Sequence, residues 1–373
     1  MGRKPPEWVN AIVPEHVLAI PAYVPGKPIE EVRRELGIDD IVKMASNENP
    51  LGPSPKAVEA AQRYLERAHI YPESSAPELR QALASRFGLP TSSVILGNGS
   101  DEIMQLAAHV FIRPGTEAII GANTFSMYRI SVQAFGGKIR AVPLKQHRFD
   151  LAAVAAAVNP NTRLIFLAIP NSPTGTVVSR AEFDDFVNGL PENGLLLVID
   201  EAYREYVRER DCPNGTDYLS KRLPVLVLRT FSKIYGLAGL RIGYGFAAPW
   251  VIELLNRVRP PFNVNALAQA AAVAALEDVE HVQRSVRNTE VGMKFLEEEL
   301  SRLGVEVIPS QANFLTFCLN RDANQVYNDL LSAGIIVRPL ASFGMPRCIR
   351  VTIGTQEQNQ RFVRALRNVL RRE

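Results

Sequence analysis

The sequence is poor in the features that mark disulfide-rich, metal-binding or membrane-spanning proteins. Its 373 residues include only three cysteines, Cys212, Cys318 and Cys348, which are too few and too scattered for a disulfide framework or a Cys-x-x-Cys metal site. No stretch reaches the roughly 20 apolar residues that a spanning helix needs. The N-terminal residues also lack the apolar core of a signal peptide. We therefore expect a cytoplasmic protein with no bound metal and no membrane partner.

Long blocks of one charge are missing as well. The formal net charge of +3 is spread along the chain, and no single-sign block indicates a nucleic-acid partner. The modest basic cluster near the C-terminus is typical of the solvated face of a last helix, and it consists of Arg364, Arg367, Arg371 and Arg372. The chain is long enough for one large domain and one smaller domain, each with its own core.

Short, continuously apolar runs recur along the first two thirds of the chain, and helical stretches separate most of them. Because the runs do not alternate with polar residues, they are typical of parallel strands buried on both faces of a sheet. The repetition of strand and helix predicts an α/β fold with a mostly parallel, doubly wound sheet. The runs are 94–96, 118–120, 164–168, 195–199 and 225–228.

The pattern of predicted helices and strands changes after Pro260-Pro261. An Ala-rich helical stretch, strand-like segments and further helices follow, an order that predicts a smaller α+β domain. The sequence thus predicts three units: an N-terminal arm (1–50) that packs with the small domain, a large domain (51–265) and the small C-terminal domain (266–373). The later elements are expected at 266–302 (helical), 305–318 (strand), 323–333 (helix), 335–338 and 348–353 (strands), and in a final helix.

Unusual polar residues follow four of the predicted strands, where ligands bind in an open parallel sheet. Gly97–Glu102 leads into a helix, so it suits either a phosphate or a simple helix cap. The sequence of residues 170–175 predicts a tight turn. Asp200 follows five apolar residues, where a carboxylate without a cationic partner would be costly. Lys233 comes soon after the last run, and a buried lysine becomes a usable amine.

One cofactor accounts for all four strand exits. Pyridoxal phosphate needs an amine for its aldehyde, an acid for its ring nitrogen, donors for its phenolic oxygen and a phosphate cup. A dinucleotide is the rival ligand, but Gly97-x-Gly99 lacks the third glycine of that fingerprint and a suitable acid downstream.

These residues resemble a known family. Gly97-Asn-Gly-Ser-Asp-Glu102, Asp200-Glu-Ala-Tyr203 and Ser232-Lys233-x₇-Arg241 are similar to the signatures of class I/II, fold-type-I aminotransferases, in the same order. More narrowly, the chain resembles the histidinol-phosphate aminotransferases from about residue 20 to its end. The segments that carry this resemblance are Pro25–Pro28, Ser46–Gly52, Phe231–Tyr244, Pro261–Asn265, Val337–Pro339 and Arg350–Thr355.

The resemblance implies a role for each matching residue toward the cofactor. Lys233 would hold pyridoxal phosphate covalently and move the proton, and Asp200 would keep the ring nitrogen protonated. Tyr203 would donate to the phenolic oxygen. The phosphate would be held by Gly99, Ser100, Asp101, Ser232 and Arg241.

The resemblance also assigns residues to the ring face, the partner subunit and the substrate. Phe125 would stack on the ring, although plain core packing also explains an aromatic there. Tyr71 would reach the phosphate of the partner subunit, which implies a homodimer with shared sites. Arg338 and Arg350 would bind the anionic group of the substrate, since guanidinium groups bind such anions through paired hydrogen bonds. Tyr23 would touch the substrate from the N-terminal segment.

Two positions depart from the family pattern. Ser172 stands where the family has an asparagine that donates to the phenolic oxygen, so either Asn171 or the Ser172 hydroxyl takes that role. Phe125 replaces the more frequent tyrosine, which removes one polar contact with substrate.

The implied activity is ping-pong transamination between glutamate/2-oxoglutarate and L-histidinol phosphate/imidazole-acetol phosphate, in histidine biosynthesis. An aromatic amino acid aminotransferase is the nearest alternative, because the same arginines serve either anion. A lyase like threonine-phosphate decarboxylase is a second alternative. A non-catalytic regulator with this fold is a third, but no DNA-binding segment precedes residue 20.

Overall fold

A computed structural model describes residues 6, 8–23 and 25–371 of the chain. The α-helices among these residues are α1 (Val9–Ile12), α2 (Glu15–Leu18), α3 (Ile29–Leu36), α4 (Pro55–Leu65), α5 (Pro77–Phe87), α6 (Ser100–Phe111), α7 (Ser126–Ala134), α8 (Leu151–Ala156), α9 (Arg180–Gly189), α10 (Pro249–Val258), α11 (Ala266–Glu277), α12 (Val279–Arg302), α13 (Ala323–Ser332) and α14 (Gln356–Arg371). The strands are β1 (Val42–Lys43), β2 (Val94–Gly97), β3 (Glu117–Gly121), β4 (Lys138–Val142), β5 (Thr162–Ala168), β6 (Leu196–Asp200), β7 (Val225–Thr230), β8 (Gly243–Ala247), β9 (Glu306–Ile308), β10 (Phe314–Cys318), β11 (Ile335–Ile336), β12 (Arg338–Pro339) and β13 (Cys348–Thr352).

The largest sheet in the described part of the chain has seven strands, in the order β2-β8-β7-β6-β5-β3-β4. Adjacent strands pair in parallel along the part of the sheet formed by β7, β6, β5, β3 and β4. Strand β8 runs antiparallel to both β2 and β7. The predicted α/β class with a mostly parallel sheet is therefore confirmed. The sequence did not reveal β4 or β8, because β4 is a partly exposed edge strand and β8 is rich in glycine.

Helices cover both faces of this sheet, which explains the continuously apolar strands. In β5, Leu164 and Phe166 pack with α6, α7 and α10 on one face, whereas Ile165 and Leu167 pack with α5, α9 and α11 on the other. Successive side chains of a strand point to opposite faces. Both sets are therefore buried and both must be apolar.

A second, antiparallel sheet has the order β12-β13-β10-β9 and packs against α12, α13 and α14. The strand expected at 305–318 is in fact two strands, β9 and β10, which pair antiparallel. The helical stretch 266–302 is also divided, because the side chain of Asp278 caps α12 by accepting from the backbone N–H of His281 at 3.2 Å. No helix in the described ranges is long and apolar enough to cross a bilayer.

The arm and the two sheets contact each other through short elements. Strand β1 pairs in parallel with β11, and Val32 of α3 packs with Leu331 and Ile336. Helix α11, however, packs on α4 and α5 beside the large sheet. The division at residues 50 and 265 stays a prediction, and the packing of α11 favours a later second boundary, at Asp278.

One disulfide joins Cys318 to Cys348, which the sparse cysteines did not lead us to expect. The two residues are direct partners on the antiparallel strands β10 and β13, with their Cα atoms 4.0 Å apart. Sequence spacing could not reveal this pair, because 30 residues separate them along the chain.

The segment that follows β7 is held by the turn at residues 49–53. The side-chain amide of Asn49 donates to the carbonyl of Ile234 at 2.8 Å. Gly236 has a φ of +70°, and a Cβ atom built on it would lie 2.2 Å from the carbonyl oxygen of Gly52. The fold therefore requires glycine at this position, three residues after Lys233.

Gly236→Ala should lower the free energy of unfolding by about 2 kcal/mol or more, because positive φ and a backbone clash both oppose the new methyl group. Urea denaturation followed by circular dichroism measures the change. Gly189→Ala, at the exposed end of α9, is the matched control, since nothing lies within 4 Å of its Cβ position and its φ is not positive, and it should not lower the stability. Equal effects of the two substitutions would contradict the assignment.

Candidate active site

A cavity of about 280 Å³ lies at the carboxyl ends of the central parallel strands, where the second sheet and the arm close over them. The polar residues that followed separate strands in the sequence line it together. Thirteen of the predicted site residues face this cavity: Tyr23, Gly99, Ser100, Asp101, Phe125, Ser172, Asp200, Tyr203, Ser232, Lys233, Arg241, Arg338 and Arg350.

Lys233 places its amine between the arm and the ring of Tyr203. Its Nζ donates to the carbonyl of Ser46 at 3.0 Å and lies 5.8 Å from the centroid of the Tyr203 ring. No salt bridge to Lys233 is present among the described residues. The amine is thus half-buried and held by a weak neutral acceptor, which leaves it available for reaction with a carbonyl compound.

Asp200, at the end of β6, is a buried carboxylate at the base of the cavity. Oδ2 accepts from the hydroxyl of Tyr128 at 2.6 Å, and Oδ1 accepts from the backbone N–H of Ala202 at 3.0 Å. Burial raises the pKa of Asp200 to about 6, although both hydrogen bonds favour its charged form. A cationic group in the cavity would remove this penalty.

The hydroxyl of Tyr203 is aimed by a residue of the arm. Asn47 Nδ2 donates to the Tyr203 oxygen at 2.8 Å. Asn47 is itself fixed, because its backbone N–H donates to Thr352 Oγ1 at 2.9 Å and Asn313 donates to its carbonyl at 3.0 Å. With its oxygen already accepting, the phenol of Tyr203 can donate its proton into the cavity.

The N-terminus of α6 forms an anion site with Arg241. Gly99 precedes this helix with a φ of +79°, and a Cβ atom there would lie 2.6 Å from the Arg241 guanidinium. Arg241 contacts the carboxylate of Asp101 at 3.5 Å. Burial raises the pKa of Asp101, and the nearby Arg241 and Lys233 oppose that rise. Free helix N–H groups beside a guanidinium suit a phosphate.

Two arginines lie opposite each other at the other end of the cavity. Arg338 of β12 and Arg350 of β13 are direct partners in the antiparallel ladder. Arg350 donates to the Ser172 hydroxyl at 3.1 Å and to the carbonyl of Ala45 at 2.9 Å, while its buried Nε has no partner among the described residues. Burial lowers the pKa of Arg350. A guanidinium with neutral acceptors only is suited to an incoming anion.

Two predicted site residues do not reach the cavity. Asn171 is fully buried, and both of its amide hydrogens are used, toward Asn123 O and Thr174 Oγ1. Tyr71 is 80% exposed and stacks on Phe262 at the surface, with a centroid distance of 4.8 Å.

Two residues in contact with the site were missed from the sequence. Asn47 lies inside the Ser46–Gly52 segment that supported the resemblance, and its positive φ of 57° is a signal that only the backbone shows. Tyr128 lies three residues after Phe125, on the first turn of α7. A buried carboxylate needs a hydrogen-bond donor, so a tyrosine three residues after the predicted ring-stacking residue Phe125 was a reasonable candidate.

The chemistry of these groups fits pyridoxal phosphate. A buried carboxylate with no cation among its described partners suits a protonated ring nitrogen, and the anion site beside Arg241 suits the phosphate. Lys233 would hold the cofactor. Tyr203 would donate to its phenolic oxygen, and Phe125 would cover the ring face.

Asp200→Asn should stabilise the cofactor-free protein at pH 8. The folded-state pKa of about 6 is above the ordinary value of 3.8, so the stability contributed by this group is present below pH 4 and is lost as pH rises through 6. We expect a gain on the order of 1–2 kcal/mol at pH 8 and a much smaller gain at pH 4.5. Urea denaturation at both pH values measures it.

Asp184→Asn is the matched control, because Asp184 also accepts from a tyrosine hydroxyl, that of Tyr218, but lies away from the cavity. It should not stabilise the protein. A loss of stability in Asp200→Asn at pH 8 would mean that Asp200 is not an uncompensated charge.

Known proteins are similar to this chain over most of its length. The family model for aminotransferase class I and II matches residues 39–366. The chain is 49% identical over 357 residues to the histidinol-phosphate aminotransferase of Moorella thermoacetica, covering 95% of this chain and 92% of that one.

Solved structures are similar over nearly the whole chain. The histidinol-phosphate aminotransferase of Sinorhizobium meliloti, solved in complex with pyridoxal-5'-phosphate, has a TM-score of 0.89 and 27% identity, covering 97% of this chain and 98% of that one. The L-threonine-O-3-phosphate decarboxylase of Porphyromonas gingivalis has a TM-score of 0.78 and 25% identity, covering 88% and 99%. Since the family model spans most of the sequence, the chain belongs to the class I and II aminotransferases.

Proposed function

We propose that the protein is a pyridoxal-phosphate-dependent histidinol-phosphate aminotransferase. It transfers the amino group of L-histidinol phosphate to 2-oxoglutarate, which gives imidazole-acetol phosphate and L-glutamate, and it catalyses the reverse reaction. The observation that carries this proposal is that one cavity contains the amine of Lys233, the buried carboxylate of Asp200 and the opposed pair Arg338 and Arg350. We also propose that the protein acts in histidine biosynthesis and that it is located in the cytoplasm.

The cofactor supplies an aldehyde for the amine and a ring that withdraws electrons from the reacting carbon. Lys233 would hold the cofactor through its amine and would carry the proton at the reacting carbon of the substrate. Asp200 would pair its carboxylate with the ring nitrogen. The α6 N-terminus, Ser232 and Arg241 would hold the phosphate.

The anionic end of the substrate would lie between Arg338 and Arg350. Arg350 already has Ser172 and Ala45 as neutral acceptors, and these contacts fix the guanidinium before the substrate arrives. Tyr23, which is 46% exposed at the cavity mouth, would contact the substrate from the arm. A dianionic phosphate gains more from two neighbouring arginines than a carboxylate does.

We also propose that Ser172, and not Asn171, donates to the phenolic oxygen of the cofactor. Both amide hydrogens of Asn171 are used within the fold. The Ser172 oxygen lines the cavity and accepts from Arg350, so its own proton can point toward the cofactor.

A homodimer with shared sites completes the proposal. The exposed side chains of Val58 and Leu65 line a groove together with residues of the loop between Lys233 and Arg241, namely Gly236, Leu237, Gly239 and Leu240. A symmetric partner that docks there would bring its own copy of Tyr71 toward the phosphate site. Ile70, Tyr71 and Phe262 are further exposed apolar residues, and Tyr71 stacks on Phe262.

Steady-state kinetics test the proposed substrate. We expect kcat/KM to be at least about tenfold higher for L-histidinol phosphate than for L-phenylalanine, because two arginines favour the phosphate. Double-reciprocal plots should be parallel, as in ping-pong kinetics. A preference for phenylalanine would indicate an aromatic amino acid aminotransferase. Release of carbon dioxide without an oxo-acid acceptor would indicate a decarboxylase.

Hybrid dimers test the shared site. Lys233→Ala and Tyr71→Ala should each lower activity when present in both subunits. A hybrid with one subunit of each kind has one complete site if Tyr71 acts across the interface, so it should recover about half of the wild-type activity per dimer. Differently tagged subunits, purified in two affinity steps, provide the hybrid. Recovery of no activity would place the action of Tyr71 within its own subunit.

A further inference from the structure

We propose that Tyr128 is a positioning residue that holds Asp200 as a charged partner for the ring nitrogen of the cofactor. This inference rests on the proposed cofactor and adds a residue that the motif residues do not include. Tyr128 is fully buried, and its hydroxyl donates to Asp200 Oδ2 at 2.6 Å. This distance is typical of a strong hydrogen bond from a hydroxyl to a charged oxygen.

The ring of Tyr128 has little freedom to move. It stacks on Phe166 with a centroid distance of 4.9 Å and an interplanar angle of 10°, and it meets Phe125 edge-on at 5.7 Å. Phe125 directly precedes α7 and Tyr128 lies in its first turn. One helix start therefore sets both the residue over the ring face and the partner of the carboxylate.

The hydroxyl of Tyr128 acts only as a donor toward Asp200. Burial and the neighbouring carboxylate raise the pKa of Tyr128 well above its usual range, so the phenol keeps its proton. Oδ1 of Asp200 has the N–H of Ala202 as its donor. The hydroxyl is thus the one described side-chain donor to Asp200, and it favours the charged form.

Other charged groups around Asp200 do not replace this donor. Asp101 and Glu201 are both acidic and raise the pKa of Asp200. Glu201 is committed to a buried salt bridge with Arg229 at 2.8 Å, and Asp101 lies beside Arg241. Lys233 and Tyr203 also line the cavity, but neither hydrogen-bonds to Asp200 in the described structure.

Removal of the hydroxyl should move the pH dependence of cofactor binding. Below the pKa of Asp200, the cofactor must displace a proton from the carboxylate, so affinity falls about tenfold for each pH unit. In Tyr128→Phe the charged form loses a donor. We expect the pH at which affinity begins to fall to rise by about one to two units, the effect of losing one hydrogen bond to a charged group.

The experiment measures the dissociation constant of pyridoxal phosphate on the cofactor-free protein between pH 5 and 8.5, by quenching of intrinsic fluorescence. The ¹⁵N shift of labelled cofactor gives the protonation of its ring nitrogen independently. Tyr218→Phe is the matched control, since Tyr218 is also buried and donates to an aspartate, Asp184, at 2.5 Å, away from the cavity. It should leave both profiles unchanged.

An unmoved pH profile in a folded Tyr128→Phe protein overturns the inference, even if the affinity changes by a constant factor at every pH. If that variant does not fold, Phe166→Leu keeps the hydroxyl but loosens the stacked ring, and a shift in the same direction is then required. Wild-type protein that binds no cofactor would instead overturn the proposed function.

Discussion

The buried carboxylate of Asp200 is the constraint on which the arrangement of the site depends. It lies at the end of a central strand, with a hydroxyl and one backbone N–H as its partners, and its pKa is raised to about 6. In the proposed function, a protonated ring nitrogen of the cofactor would compensate this unfavourable charge. Neighbouring elements place other groups around it: α7 carries Tyr128, the donor to Asp200, and the segment after β7 carries the amine of Lys233.

Arg350 is a second buried charged group in the cavity whose hydrogen-bonding capacity is only partly used. Arg350 is buried with neutral acceptors and an unpartnered Nε. Buried charges in proteins are ordinarily paired. In the proposed function, an anionic substrate would supply the pairing that Arg350 lacks. Asp200 favours a cationic group in the cavity, whereas Arg338 and Arg350 favour an anionic one.

The N-terminal arm contacts three of the functional groups in the cavity. Asn47 aims Tyr203, the carbonyl of Ser46 accepts from Lys233, and the carbonyl of Ala45 accepts from Arg350. Three consecutive residues far from the other site residues in sequence thus contact three different functional groups. Strand β1 fixes this segment by pairing with β11 of the second sheet. A movement of the second sheet relative to the large one would act on all three groups together.

The sequence by itself determined the fold class, because strands buried on both faces must be continuously apolar, and it indicated the cofactor chemistry, because Asp200 and Lys233 follow such strands. It also left a choice between Asn171 and Ser172. Only the tertiary structure supports the proposed choice of Ser172, since one amide hydrogen of Asn171 is used by a residue 48 positions away and the other by a nearby threonine. The sequence likewise did not show the contacts of Asn47, of Tyr128 and of the disulfide partners, because these contacts join residues separated by 156, 72 and 30 positions. Local patterns specify which residues are buried, whereas hydrogen-bond partners are decided by packing between distant segments.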